Sequence, residues 1–176
     1  WRNEKVREEV YDLMKWWLDK GIDGFRMDVI NMISKVKGYP DGKPIPGSKY
    51  GDRLPFVMNG PHVHEYLQEM NHRVLSKYDV MTVGEAPCTS VEDAKKYTGF
   101  ERDELNMVFT FEHMDVDSDN GFKWTDKKPD LPELKKVLSK WQIGLDGVGW
   151  NSLYMNNHDQ PRMVSRFGND GKYWKE

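Results

Sequence analysis

An α/β domain built on a parallel sheet is the fold this sequence predicts, and three observations predict it. Helix-period and strand-period segments alternate along all 176 residues, the pattern of a sheet with helices outside. Three of the strand-like segments end on a carboxylate: Asp28 after Gly24-Phe25-Arg26-Met27, Glu85 after Val80-Met81-Thr82-Val83-Gly84, and Asp159 after Ser152 to His158. Loops beyond the carboxyl ends of parallel strands hold the active site, so three acids in that position suggest one catalytic centre. Four strands make half of an eight-stranded barrel, and the two edges such a half exposes make the chain a piece of a larger catalytic domain. An open doubly wound sheet is the competing architecture. No GxGxxG or GxxxxGK[ST] follows any strand, however, so nucleotide binding has no support.

The elements follow in order. Asn3 is a good N-cap, and Val6, Val10, Leu13, Met14, Trp17 and Leu18 recur at helical spacing until Gly21 supplies a stop. A strand over 22–27 follows, then a Gly/Pro-rich stretch from Gly38 to Pro55, long enough to read as a functional loop overhanging the site. Pro61 suits the first turn of the next helix, whose apolar positions are Val63, Tyr66, Leu67, Met70, Val74 and Leu75, and which leads into a strand over 80–83. Ser90 with Asp93 resembles a capping box, residues 107–111 read as a third strand, and Asp130 with Glu133 opens a third long helix. Its apolar face is Leu131, Leu134, Val137, Leu138 and Trp141, and a fourth strand over 152–156 completes the series.

Composition is that of an ordinary globular protein, with 38% hydrophobic and 31% charged residues. A net charge of −3 provides no basic footprint for nucleic acid, so the expected ligand is small and neutral. The one cysteine, Cys88, forms no internal disulfide and has no Cys/His cluster around it, which fits a reducing, cytoplasmic setting. No apolar run approaches the roughly 18 residues of a spanning helix, so no membrane partner is expected.

The chemistry rests on the acids. Arg26 and Asp28, two apart on a strand, project to the same face, and an arginine beside a carboxylate favours its ionised form. That suits a nucleophile. Glu85 lies between Gly84 and Ala86-Pro87 with no cation adjacent in sequence, a setting that keeps a general acid protonated. One charged and one protonated carboxylate is the requirement of glycoside cleavage. Taken singly, each has a bland counterpart: Arg26-Asp28 as a structural ion pair, Glu85 as a solvated strand end, Asn156 to Asp159 as a polar capping turn. His113 reads as a satisfied structural histidine. His62 and His64 are two apart on a helix and share no face for a metal. Trp16, Trp17 and Trp141 fall in helices, where core packing is the default.

Order and context make the pattern specific. Gly24-Phe25-Arg26-Met27-Asp28-Val29-Ile30-Asn31, Thr82-Val83-Gly84-Glu85 and Asn156-Asn157-His158-Asp159-Gln160-Pro161-Arg162 resemble, in order, three signature regions of the α-amylase family of glycoside hydrolases. Connecting pieces such as 56–61, Phe109-Thr110-Phe111-Glu112-His113 and 149–154 resemble its oligo-1,6-glucosidase and α-glucosidase branch. The resemblance implies roughly strands 4 to 7 of a (β/α)8 barrel, without the first three strands, the eighth, or the C-terminal β domain. It implies that Asp28 is the nucleophile, Glu85 the general acid/base and Asp159 the third catalytic acid, with Arg26 and His158 around the first glucose and Phe111 and Arg162 among the substrate contacts. Val29, directly after the nucleophile, resembles the residue found there in α-1,6-preferring members.

The implied reaction is retaining hydrolysis of short α-1,6-linked oligosaccharides, with no cofactor in this segment. The family's early Asp-x-x-x-Asn-His signature is absent here, as are the portions that carry calcium in many members, so the activity implied belongs to a longer protein. Two alternatives accompany it. One is a different activity on the same scaffold: trehalose-6-phosphate hydrolase, α-1,4-glucosidase, or sucrose or trehalose isomerase. The other is a non-catalytic amylase-like transporter ectodomain.

Overall fold

In the computed structural model, residues 1–119, 122 and 124–175 are described. The elements are α1 (Glu4–Leu18), β1 (Gly24–Met27), β2 (Lys43–Pro44), β3 (Gly51–Asp52), α2 (Leu54–Val57), α3 (Val63–Arg73), β4 (Met81–Glu85), α4 (Val91–Thr98), β5 (Met107–Phe109), α5 (Leu131–Leu145), β6 (Trp150–Asn151) and α6 (Met163–Arg166). Strands β1, β4, β5 and β6 form one parallel sheet in that spatial order. The order settles the architecture. A doubly wound sheet reverses direction at a switch point, whereas here each strand is laid beside the previous one in chain order, as in a barrel wall. In register, Met27 faces Gly84 and Glu85 faces Phe109, so the carboxyl ends of β1, β4 and β5 come level.

Local chemistry explains the element ends. Asn3 accepts from the Lys5 amide at 3.0 Å and starts α1; Ser90 accepts from the Asp93 amide at 3.1 Å and starts α4, the capping arrangement read from the sequence. β1 begins at Gly24 because the backbone of β4 comes so close that a Cβ there would sit 1.8 Å from the Met81 carbonyl oxygen. The first strand is therefore shorter than the apolar run that foretold it. The third helix element begins at Val63, two residues after Pro61, with His62 at its N-cap. β5 ends at Phe109, not at Phe111.

The fourth strand departs most from expectation. It is Trp150–Asn151 instead of 152–156, because β5 supplies a ladder only as far as its own end. Beyond Asn151 the Tyr154 carbonyl takes its hydrogen bond from the His113 ring, with Nε2 at 2.6 Å. The long loop after β1 carries the antiparallel pair β2 and β3 and then α2. It leaves from the carboxyl end of β1, and its first residues supply the Val29 amide to Glu85, but among the described residues none of the hydrogen bonds on Arg26, Asp28 or Glu85 comes from the Gly/Pro-rich part, 38–55.

The core lies between the sheet and its helices. α1 buries Tyr11, Met14 and Leu18; α3 buries Val63, Tyr66, Leu67 and Met70; α5 buries Leu134, Val137, Trp141 and Leu145. The face of α1 is thus turned from the one expected, and Val6, Leu13, Trp16 and Trp17 stand exposed. Trp16 and Trp17 pack on each other, ring centroids 4.7 Å apart, instead of entering the core. Leu131 is likewise exposed. Trp141 is fully buried and donates to Glu112 Oε2 at 2.9 Å, which satisfies its indole N–H. No helix among the described residues is long and apolar enough to cross a membrane.

Candidate active site

The carboxyl ends of β1, β4 and β5 bring Arg26, Asp28, Glu85 and Phe109 into one cluster. Arg26 is its hub. One guanidinium nitrogen, Nη1, donates to Asp28 Oδ1, and the other, Nη2, lies 2.9 Å from Glu85 Oε2. The rigid planar fork of arginine holds the two carboxyls in a fixed relative geometry, which the rotatable ammonium of a lysine does not. Its plane also lies over the Phe109 ring, 5.4 Å from the centroid, where the aromatic face attracts the cation.

The two acids sit in unlike environments. The Asp28 side chain is 75% exposed and that of Glu85 only 8%. Asp28 is held below the usual carboxylate range, first by its hydrogen bond from Arg26, then by a hydrogen bond with Glu85 and the positive fields of Arg26 and His158. Glu85 does not have the cation-free surroundings its sequence neighbours suggested. Arg26 reaches it across the β1–β4 pairing, and the Val29 amide donates to the same Oε2 at 3.1 Å. The one guanidinium of Arg26 thus holds both carboxyls in one place.

Val29 adopts the left-handed conformation, φ 34° and ψ 48°, unusual for a β-branched residue. It opens a 3₁₀ turn, Ile30–Met32, that locks the loop after β1 onto the loop after β4. Ile30 is buried against Gly84, where an added Cβ would meet its Cγ2 at 2.6 Å. Asn31, fully buried, donates from Nδ2 to the Pro87 carbonyl at 2.8 Å and to Thr89 Oγ1 at 3.2 Å.

His158 and Asp159 occupy an exposed turn after β6. The Asp159 amide donates to Asn157 Oδ1 at 2.9 Å, so the polar-turn geometry is present, and His158 Nε2 stands 3.2 Å from Asp159 Oδ2. The same turn carries His158 to the cluster. A cleft of ≈ 240 Å³ is lined by Arg26, Phe109, Tyr154 and His158, with Ser152, Asn156 and Asn157 at its edge. Phe111 is not among these residues. It packs behind them, 6.1 Å from Phe109 and 5.8 Å from Tyr154 between ring centroids. Arg162 caps α6 and lines a neighbouring depression with Asn156, Asn157 and Gln160.

Three contributors escaped the sequence reading. Phe109 and Tyr154 form the apolar wall; the alternation Phe109-Thr110-Phe111 does not single out Phe109, and no local pattern marks Tyr154. Arg166, in α6, is 8% exposed and holds Asp117 through two bonds of 2.7 and 2.6 Å, while its Nη1 donates to Gln160 Oε1 at 2.7 Å. It thereby fixes the turn bearing His158 and Asp159, and no spacing in the sequence links residues 117 and 166. His113 is buried and held neutral, since burial lowers its pKa; its Nε2–H goes to Tyr154, but Nδ1 has no protein partner among the described residues. Among the described residues no group of three or more His, Cys, Asp or Glu side chains is arranged to hold a metal ion.

The catalytic domain of alpha-amylase matches residues 1–176. An oligo-1,6-glucosidase of Parageobacillus thermoglucosidasius is 64% identical over 173 residues, 98% of this chain and 31% of that protein. A trehalose-6-phosphate hydrolase of Bacillus subtilis (strain 168) is 51% identical over 174 residues, again 98% of this chain and 30% of that protein. Among solved structures, the trehalose-6-phosphate hydrolase of Bacillus licheniformis superimposes with a TM-score of 0.88 at 52% identity, over 98% of this chain and 30% of that one. The isomaltulose synthase of Klebsiella sp. LX3 superimposes with a TM-score of 0.88 at 38% identity, over 100% and 31%. The chain thus spans about a third of the length of the relatives it matches.

Proposed function

Because this chain belongs to the α-amylase family and forms part of its (β/α)8 barrel, we propose that it carries the catalytic core of a retaining α-glucoside hydrolase acting on short α-1,6-linked oligosaccharides. The observation that carries the reading is the single guanidinium of Arg26 joining an exposed, anionic Asp28 to a buried Glu85. The 64% identity to an oligo-1,6-glucosidase supports the choice of substrate.

The roles follow from the chemistry of each group. Asp28 attacks the anomeric carbon while Glu85 gives its proton to the departing glycosidic oxygen, leaving a glucosyl ester on Asp28. Glu85, now a carboxylate, takes a proton from water. The water oxygen attacks the same carbon, the ester breaks, and glucose leaves with its configuration retained. Arg26 keeps Asp28 ionised. His158, on the wall of the cleft, and Asp159, beside it in the same exposed turn, are suited to grip sugar hydroxyls, and Arg162 lies where a longer substrate would extend. Phe111 contributes from behind, by seating Phe109 and Tyr154. An unpaired thiol at Cys88 suits a cytoplasmic enzyme.

The test is made in a full-length protein carrying this segment. Isomaltose, maltose, sucrose and trehalose 6-phosphate are supplied in parallel, and the first-formed glucose anomer is followed by NMR. The expected result is α-glucose released fastest from isomaltose, with Asp28→Asn lowering turnover by several orders of magnitude. Faster cleavage of trehalose 6-phosphate, the activity named for the 51–52% identical relatives, would move the protein to that activity. Release of β-glucose would sink the retaining mechanism.

A further inference from the structure

Glu85 Oε2 receives both of the carboxyl's donors, Arg26 Nη2 at 2.9 Å and the Val29 amide at 3.1 Å. An oxygen accepting two N–H groups is not the one that carries the acid proton. The proton must therefore sit on Oε1, and whatever fixes Oε2 also fixes where Oε1 points.

The Val29 amide reaches Oε2 from a left-handed residue, φ 34°, whose turn fixes the amide relative to the clamped segment that follows. Valine rarely adopts this conformation, and it persists only where the surroundings over-determine it. They do so here. Ile30 is pressed into the space left by the missing side chain of Gly84, the residue before Glu85. Asn31 is bound to Pro87 and Thr89 on the far side of Glu85, and the Met32 amide closes the turn on the Val29 carbonyl at 2.9 Å. The strained residue is thus clamped to Gly84 just before the acid and to the loop that follows β4 after it.

We propose that Val29 is a positioning residue for the general acid: its left-handed backbone aims an N–H at Glu85 Oε2 and so reserves Oε1 for proton transfer to the leaving group. This rests on the reading of Glu85 as the acid given above. It makes the tetrapeptide Asp28-Val29-Ile30-Asn31 set both carboxyls, the nucleophile by its own side chain and the acid by the next amide.

The experiment replaces Val29 by its α-hydroxy analogue in a full-length protein carrying this segment, turning one amide into an ester. The side chain is kept and only the N–H is lost. Hydrolysis of phenyl α-glucoside, whose leaving group needs a proton, is compared with that of 2,4-dinitrophenyl α-glucoside, whose leaving group does not. The expected result is a loss of about tenfold or more in kcat/KM on the first substrate and little change on the second, since general acid catalysis is worth roughly 10²–10⁴-fold in all. Gly84→Ala is the second arm: its Cβ would displace Ile30, draw the amide away from Glu85 and give the same selective loss. Val29→Gly keeps the N–H and reaches this backbone without strain, so it should preserve the wild-type ratio between the substrates. Equal losses on both substrates in the first two variants, or no loss, would overturn the proposal alone. Glu85→Gln must show the same selectivity more strongly; if it does not, the assignment of Glu85 as the acid fails and this inference falls with it.

Discussion

Replacing Asn31 by aspartate should harm the protein far more than replacing it by leucine, although aspartate is the closer relative in shape. Asn31 is fully buried, with its Nδ2 toward the Pro87 carbonyl at 2.8 Å. A carbonyl oxygen only accepts, so the amide nitrogen and not the oxygen must face it. Leucine deletes the bonds to Pro87 and Thr89 and leaves the Pro87 carbonyl only the long 3.5 Å hydrogen bond from Thr89 Oγ1, a loss of about 1–3 kcal/mol. It also removes Oδ1, which has no protein partner among the described residues, so the net loss belongs at the lower end of that range. Aspartate sets an anionic oxygen against the same carbonyl with no cation to compensate, the situation that costs about 3–5 kcal/mol. The two variants are compared by melting temperature and kcat/KM at pH 7 and pH 5 in a full-length protein carrying the segment. The aspartate variant should recover part of its loss at the lower pH, because protonation restores a donor. Both variants should lose turnover, since the tie between the loops bearing Asp28 and Glu85 is cut, and a misplacement of about 1 Å can cost 10²-fold. An aspartate variant as stable as the leucine variant at pH 7 would refute the assigned orientation and the role of the clamp.

Arg166→Met should destabilise by about 3–5 kcal/mol because it strands a buried Asp117, whereas Arg166→Met with Asp117→Leu should recover most of that loss; denaturant midpoints for the single and double variants decide it, and equal values would refute it. Asp28 is held below the usual range by Arg26, so the nucleophile stays ionised as pH falls and the acid limb of kcat/KM should lie below the ordinary aspartate value of ≈ 3.9. The depressed value also means that the Asp28 contribution to stability is present above the unfolded-state value and is lost as pH falls through the folded one. Arg26→Gln should move the acid limb to higher pH, and a limb that stays in place would remove Arg26 from that role. Val29→Thr should raise kcat/KM for maltose relative to isomaltose by about tenfold, equivalent to about 1.4 kcal/mol of differential transition-state binding; an unchanged ratio would leave the Val29 side chain as packing.

The parallel sheet was legible because it depends on short-range patterns: apolar runs of strand length, caps at Asn3 and Ser90, and helix-period faces on α3 and α5. What failed depended on neighbours distant in sequence. The strand expected over 152–156 has the right composition, but a ladder needs a partner, and β5 stops at Phe109. Trp16 and Trp17 read as core because they are large and helical. Which side of α1 meets the sheet is decided elsewhere, by Arg7 pairing with Glu69 of α3 at 2.8 Å and by Tyr11 filling the interior.

The site divides along the same line, and the division says what a sequence pattern encodes. Asp28, Glu85 and Arg26 could be read because each is marked by its place at a strand end, a property of its own few neighbours. The environment of Glu85 could not be read that way. Its sequence neighbours are apolar, yet its contacts are a guanidinium and an amide from β1 and the loop after it. The contacts a carboxyl makes therefore depend on the pairing of strands as much as on its own segment. The same holds for Val29, a side chain in the sequence and a backbone donor in the fold. Because Val29→Thr keeps a β-branched residue at the same strained φ, whereas the ester analogue keeps the valine side chain and removes the N–H, the two changes separate linkage preference from proton transfer. A change in linkage preference with an unaltered leaving-group dependence in the first, and the reverse in the second, is the pattern expected if the side chain of Val29 selects the leaving group and its amide places the acid that protonates it.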